Sequence, residues 1–329
     1  MVDSAAGRAA TPNGGAAGSV AVLVAGLDLG GTGSRVVVRA GGEVVGQLTL
    51  PTAELGAGSV DERVGRVAAA VRGVMPPGHR LVGVGIGASG PITPDWKVIT
   101  NPDTLPWFSG LPLTELLAAE LDVPVRLESD AVAAALGEYH FGAGRGARQL
   151  LAVTIGTGIG VSLLRDGVPF RTANGQHPDA GHLPVFGDDN VCYCGLRGCL
   201  EQHVSRLGLE TRLAEAGLAF APGGIDELPE SPALSAALEA YGRDLGRGLE
   251  ALEVVYGPDQ IVVCGASSRS FHRFQSAVAT GMARAPGFRS GVPIVPCELG
   301  DFAGALGATT LVDVPHERPA QAPLQDRPA

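Results

Sequence analysis

A chain of 329 residues, 45% hydrophobic and 18% charged, is long enough to bury the cores of two domains. Its 34 acidic against 24 basic side chains give a formal net charge of −10, which excludes a broad polyanion-binding face, and its 5% aromatic content excludes a stacking platform for nucleic acid. No apolar run reaches the length of a membrane span, so neither nucleic acid nor membrane is an expected partner, whereas a nucleotide held by local glycine loops is compatible with the charge.

Residues 1–19 are small and polar, with neither the basic nor the long apolar part of a secretory signal, and the chain from 315 on reads PHERPAQAPLQDRPA. Both segments are expected to be disordered tails. Between them, VAVLVAGLDLGG from Val20 and SRVVVRAGGEVVGQLTL from Ser34 predict strands paired through turns at Gly30–Gly33 and Gly41–Gly42. A helix over Asp61–Val74 follows, then the strand LVGVGIGAS, helical spacing from Thr114 to Leu121, the short strand VPVRLE and an alanine-rich helix over Asp130–Tyr139. LLAVTIGTGIGVSLLRDGV, from Leu150, repeats the grammar of strand, glycine turn, strand. Leu234–Tyr256 predicts a long helix, QIVVCG a buried strand, Phe271–Arg284 a helix, VPIVPCEL a strand and Asp301–Leu311 a closing helix. The alternation predicts an α/β fold, with two related sheets facing a cleft.

Four segments carry chemistry. In LDLGGTGSR, Asp28 stands at a strand end before a glycine turn, where backbone N–H groups can surround an anion and the carboxylate can hold a hydrated Mg²⁺; an ordinary hairpin is the plainer alternative. TIGTGIG, Thr154 to Gly160, offers a second such turn with Thr157 at its tip. In RLESDAVAAALGE, Asp130 lies between a strand and the first turn of a helix, placed either to take a proton from a substrate hydroxyl or, with Ser129, merely to cap the helix. CYCGLRGC gathers Cys192, Cys194 and Cys199, with His182 ten residues before Cys192, a donor set that suits a closed tetrahedral Zn²⁺ site. A disulfide there strands the third thiol. Thiols held by zinc point to a reducing cytoplasm.

These motifs, with GIGASGPI between the first and third of them, resemble in order and spacing the ROK family, which groups bacterial sugar kinases with sugar-responsive repressors. The resemblance runs from about residue 22 to 312, and CYCGLRGCLE is its most specific part. It implies an actin-like ATPase (ribonuclease H-like) fold, two α/β domains around a cleft: a smaller one over 20–128 joined by the closing helix 301–312, and a larger one over 129–300 carrying the zinc segment. It implies Mg·ATP-dependent phosphorylation of a hydroxyl on a hexose or related polyol, which this chain's departures from the family pattern widen to an amino sugar or cyclitol, with a cytoplasmic location and a homodimer. Residue by residue, it makes Asp130 the general base; it gives Asp28, Gly30, Gly31 and Thr32 to the first phosphate loop, Thr157 and Gly158 to the second, and Gly265 to an adenosine turn over Cys264–Arg269. It assigns Asn101, Asp130, Asp179, His182 and Glu201 to the sugar, and His182, Cys192, Cys194 and Cys199 to a structural Zn²⁺.

Departures from the family pattern fall on the sugar side and at the adenosine turn. Ser129-Asp130-Ala131-Val132 replaces the usual Asn-Asp-Ala-Asn, Asp179 replaces a glutamate, and Cys264 replaces a glycine. Such changes are expected to shift acceptor selectivity away from plain glucose. A repressor is the rival from another class, expected to fail because too few residues precede the first strand for a helix-turn-helix. A sugar-binding protein without activity is the third reading. Trp96 and Trp107 are expected in core packing, and Cys264 and Cys297 as small buried apolar residues.

Overall fold

Runs of Val and Leu bounded by glycine build two five-stranded sheets. In the computed structural model, which describes residues 22–187, 189–220, 224–282 and 291–312, strands β1 (Val22–Leu29), β2 (Gly33–Ala40) and β3 (Glu43–Pro51) form an antiparallel meander. After the short helix α1 (Thr52–Gly56) and helix α2 (Val60–Gly73), β4 (Arg80–Ala88) pairs parallel with β1. Helix α3 (Leu113–Leu121) then leads to β5 (Val125–Ser129), parallel with β4. The order is β3-β2-β1-β4-β5. Helix α4 (Asp130–Phe141) crosses to the second sheet, where β6 (Gln149–Ile155), β7 (Ile159–Arg165) and β8 (Val168–Pro169) form another meander. Helices α5 (Leu200–Val204), α6 (Arg206–Glu215) and α7 (Pro232–Tyr256) precede β9 (Gln260–Cys264), and α8 (Gln275–Gly281) precedes β10 (Ile294–Pro296). The second order, β10-β9-β6-β7-β8, repeats the first. Helix α9 (Ala303–Thr309) closes the described chain. The tails expected over 1–19 and 315–329 lie outside the described residues.

The layers follow from side-chain alternation. On β1, Leu23, Ala25, Leu27 and Leu29 point to the outer face, where they meet Val64, Val67, Ala68 and Val71 of α2 and Leu113 and Leu117 of α3. Those α2 positions recur at helical spacing, and Ser59 with Glu62 closes a capping box at the helix start. The second sheet is covered on its outer face by α7, started by Ser231 and Pro232 and ended by Gly257 in the left-handed region. Helices α4 and α9 lie between the sheets: Val132, Ala135 and Leu136 face the second, and Ala305 and Leu306 pack on Val37 of the first. The helices meet on small residues, for a Cβ at Gly137 would lie 2.2 Å from Ala303 O and one at Gly307 only 1.7 Å from Ala133 O.

Three expectations change in detail. The helix expected over 271–284 is a one-turn 3₁₀ segment at Phe271–Arg273 followed by α8, because Phe274 (φ −131°, ψ 4°) interrupts it; residues 283 and 284 lie outside the described residues. The strand expected over 292–299 pairs only at Ile294–Pro296. The closing helix carries 3₁₀ turns at both ends.

Glu138 fixes how α4 meets the chain that enters α9. Fully buried, its carboxylate accepts from Ala143 N at 2.8 Å, Glu298 N at 3.2 Å and Leu299 N at 3.0 Å. Glu138→Ala strands these donors and is expected to cost about 2–4 kcal/mol in urea unfolding, while Glu138→Gln, which keeps an acceptor, loses less.

Candidate active site

The chemistry-bearing residues collect at the carboxyl ends of parallel strands, where α/β sheets open into crevices. Asp28 stands at the end of β1, Ser89 just past β4, Asp130 just past β5, the turn 156–158 past β6 and Gly265 past β9. The turn at residues 30–32 is held from beneath by Thr52, whose N–H donates to Thr32 O at 3.0 Å and whose hydroxyl donates to Gly30 O at 2.6 Å and lies 2.8 Å from Ser34 Oγ. Gly31 admits no side chain, since a Cβ would sit 2.6 Å from Thr104 Cγ2. Thr32 is exposed at the tip.

Asp28 faces the start of α9, where a Cβ on Gly304 would come within 3.0 Å of its Cγ. Arg35 stands 3.9 Å from the Asp28 carboxylate and 3.3 Å from Asp301, which also pairs with Arg269. Burial, and after it the negative charge of Asp130, raises the Asp28 pKa to about 7 against the pull of Arg35. Two carboxylates that repel one another at a partly buried strand edge offer hard oxygen donors to a divalent cation, and Mg²⁺ fits them.

Ser129, not Asp130, caps α4. Ser129 Oγ accepts from Val132 N at 3.3 Å and serves as the cap, while Asp130 Oδ1 accepts from Ala131 N at 2.8 Å. Burial raises the Asp130 pKa above the usual carboxylate range, opposed by hydrogen bonds from the Ala131 N–H and the Ser89 hydroxyl and by the charge of His177. The second turn abuts this helix directly, with Ala131 Cβ 2.7 Å from where Gly160 would carry its own. Gly156 N donates to Gly158 O at 2.9 Å to close that turn, and Thr157 is exposed at its tip. Gly265 adopts φ +83° against Ile155 O, a conformation and an approach that exclude a side chain.

Glu201, buried in the first turn of α5, accepts from Ile159 N at 2.8 Å and lies where a Gly158 side chain would project. It therefore joins the second turn to the cysteine cluster. His182 sits on the 3₁₀ turn Ala180–His182, with Gly181 pressed on Ile159 O. The bridges Pro184–Cys199 and Val191–Arg197 fold the cysteine segment back on itself, Gly195 and Gly198 taking positive φ. His182 Nδ1 is 3.5 Å from Cys192 Sγ, Cys194 Sγ is 3.6 Å from Cys199 Sγ, and the four donor atoms all lie within 4.8 Å of one another. Tetrahedral Zn–S bonds of about 2.3 Å put neighbouring sulfurs at about 3.8 Å, so the set fits zinc. All five cysteines are free thiols.

The other expected residues hold different positions. Asn101 donates to Ser89 O at 3.1 Å and accepts from Thr104 N at 3.1 Å, so its amide shapes the loop beside Asp130. Asp179 is exposed, and its carbonyl accepts from His182 N. Residues not singled out in the sequence join Trp96, which packs against the first core as expected. Glu128, buried next to Ser129, pairs with Arg171 at 2.5 Å; Arg171 stacks 4.3 Å over Trp96, and Gln176 Nε2 donates to Ile92 O at 2.9 Å. Chain from the second half thus straps onto the first. Tyr193 Oη lies 3.2 Å from His182 Nε2 while its ring remains exposed.

Residues 24–314 match the ROK family. A glucokinase of Streptomyces coelicolor is 30% identical over 317 residues, covering 89% of this chain and 98% of that protein. The crystal structure of a ROK family glucokinase from Streptomyces griseus in complex with glucose and AMPPNP superposes with a TM-score of 0.70 at 27% identity, covering 88% of this chain and 99% of that one. A ROK hexokinase from Thermus thermophilus gives 0.73 at 29% identity, covering 88% and 97%. The two sheets and intervening helices are the actin-like ATPase fold.

Proposed function

The chain belongs to the ROK family, in its kinase branch, and we propose that it transfers the γ-phosphoryl group of ATP to a hydroxyl of a hexose, amino sugar or cyclitol, with Asp130 as general base. The observation that carries the reading is the placement of Asp130: it is relieved of capping by Ser129, opens on the cleft between two glycine turns, and faces Asp28. As the acceptor oxygen attacks, its proton passes to Asp130, an O–P bond forms and the bond from the γ-phosphorus to its bridging oxygen breaks, releasing ADP. Backbone N–H groups of the turn 30–32 and of Thr157 and Gly158 hold the phosphates, and Asp28 holds the cation through water. Mg²⁺, when bound, neutralises charge on the phosphate oxygens. Gly265 and the turn after it take the adenosine side, and Asn101, Asp179, His182 and Glu201 take the sugar side.

In this reading Zn²⁺ on His182, Cys192, Cys194 and Cys199 is structural, bracing Glu201 against the second turn. The halves are domains, 20–128 with 301–312 and 129–300, that close about α4 and α9. A second copy covers the exposed Val168, Phe170, Val254 and Val255 beside the edge strand β8, and Val255→Asp is expected to shift light scattering toward monomer. A cytoplasmic location keeps the thiols reduced.

A coupled ADP-release assay with Mg·ATP across hexoses, hexosamines and cyclitols tests the activity. Nucleotide binding without turnover on any of them would sink it in favour of a binding protein. Stability tests the Asp28 environment. A folded pKa raised from 3.8 to about 7 gives stability that is full below pH 3.8 and lost as pH rises to 7. Metal-free Asp28→Asn is therefore expected to match wild type near pH 3.5 and exceed it by about 2–4 kcal/mol near pH 8 in urea unfolding. The same variant loses stabilisation by Mg·ATP.

A further inference from the structure

Cys264 and Cys297, expected as small buried apolar residues, pack in one core cluster, and the structure also places them as a pair. Cys264 ends β9; Cys297 lies one step beyond the Pro296–Val263 partners of the β10–β9 ladder, and its N–H extends that ladder to Val263 O at 2.9 Å. Neighbouring strands run about 4.8 Å apart, inside the Cα separation of about 4.4–6.8 Å that a disulfide spans. Register neighbours on parallel strands present their side chains to the same face of the sheet, and the two thiols share one apolar cluster there. Cys264 is 1% exposed and Cys297 half-buried, so an outer and an inner sulfur are defined. Ser268 Oγ lies 3.2 Å from Cys297 Sγ and donates to Gly265 O at 2.7 Å, coupling the outer thiol to the turn that follows Cys264.

We propose that Cys297 and Cys264 form a peroxide-reactive dithiol whose oxidation to a disulfide weakens nucleotide binding at the Cys264–Arg269 turn, an inference that rests, for its second half, on the nucleotide reading of that turn. The neighbouring Cys264 thiol brings the Cys297 pKa down to about 7, so a large share is thiolate at neutral pH. That thiolate attacks a hydroperoxide such as H2O2: an S–O bond forms, the O–O bond breaks, and hydroxide leaves and is protonated to water. Cys264 sulfur then attacks the sulfenic sulfur: the S–S bond forms, the S–O bond breaks, and the departing oxygen takes the Cys264 proton as a second water. Both sulfurs are oxidised and the peroxide is reduced. A dithiol reductant reverses the change. The Gly265 backbone packs on Ile155 closely enough that a Cβ would lie 2.4 Å from Ile155 O, so drawing Cys264 toward Cys297 displaces the turn against β6.

The experiment uses the full-length, zinc-loaded, reduced protein. It is treated with equimolar H2O2, alkylated and digested without reduction, so that peptide mass resolves this pair from the zinc cysteines. The expected product is a linked 264–297 peptide two hydrogens lighter than its parts. Affinity for a fluorescent ATP analogue is expected to fall by about tenfold or more and to return with dithiothreitol. Cys297→Ser is expected to keep turnover when reduced and to show neither link nor loss, while Cys264→Ser leaves a sulfenic acid at Cys297 for dimedone. Should that variant misfold, dithiothreitol reversal on wild type serves instead. Cys297 remaining alkylatable after peroxide overturns the dithiol, and a linked peptide with unchanged affinity overturns the regulatory step. A reduced protein that binds no nucleotide overturns the nucleotide reading, while the linked peptide still decides the dithiol.

Discussion

Asp130→Asn lowers kcat by about two to four orders of magnitude while nucleotide affinity stays within about threefold of wild type. The substitution isolates the proton acceptor from the architecture. An amide oxygen can still accept from Ala131 N, and the helix cap belongs to Ser129, so α4 starts as before. What disappears is a carboxylate able to take the acceptor proton. Steady-state kinetics with the best acceptor, alongside calorimetric titration of AMPPNP, separates the two effects. Unchanged turnover in Asp130→Asn would remove Asp130 from the chemistry altogether. Burial adds a second signature: because it holds the Asp130 pKa above the ordinary range, the acidic limb of the wild-type rate profile lies above that of a free aspartate, with rate rising as the carboxyl ionises.

Cys199→Ser is expected to release the metal and at least about 3 kcal/mol of stability. Cys199 is fully buried, bridges to Pro184, donates its thiol to His182 O at 3.3 Å and begins α5. Two residues later stands Glu201, bonded to Ile159 N, so a loosened cluster disturbs the acceptor side of the cleft before the nucleotide side. The expected kinetic pattern is a raised KM for the acceptor with nucleotide affinity retained. Mass-spectrometric zinc content and urea unfolding of the variant, with chelated wild type as comparison, check it. Equal stability of metal-free and metal-loaded wild type would remove zinc from the support of this segment.

The sheets were legible in the sequence because each meander writes its own signal, alternating Val and Leu around glycine turns, and the second repeats the first. Helices α5 and α6 were not, since Ser205 divides an amphipathic run into pieces of five and ten residues directly after the cysteine segment. Phe274 ended a helix that periodicity alone extended. At the site, Asp28, Asp130, Glu201 and the cysteines stood out because each lies in a short string whose residue types match a chemistry. Thr52, Ser89 and the Glu128–Arg171 pair did not, because their role arises from partners many positions away in the chain. Cys264 and Cys297 are packed in the core as expected, but their nearness was not legible, because two thiols far apart in the chain become neighbours only through the β9–β10 pairing.

The seam between α4 and α9 bears on how such a chain can diverge. Where Gly137 meets Ala303 O and Gly307 meets Ala133 O, the halves of the molecule touch through main chain. Apart from the Glu138 contacts and the Glu128–Arg171–Trp96 strap, a joint made of backbone carries little side-chain code that the two sides must rewrite together. Each sheet is then free to exchange its own Val, Leu and Ile, and only a handful of glycines and alanines must be kept in register. Overlap of the whole framework with a relative that is 27% identical is the outcome such a joint permits.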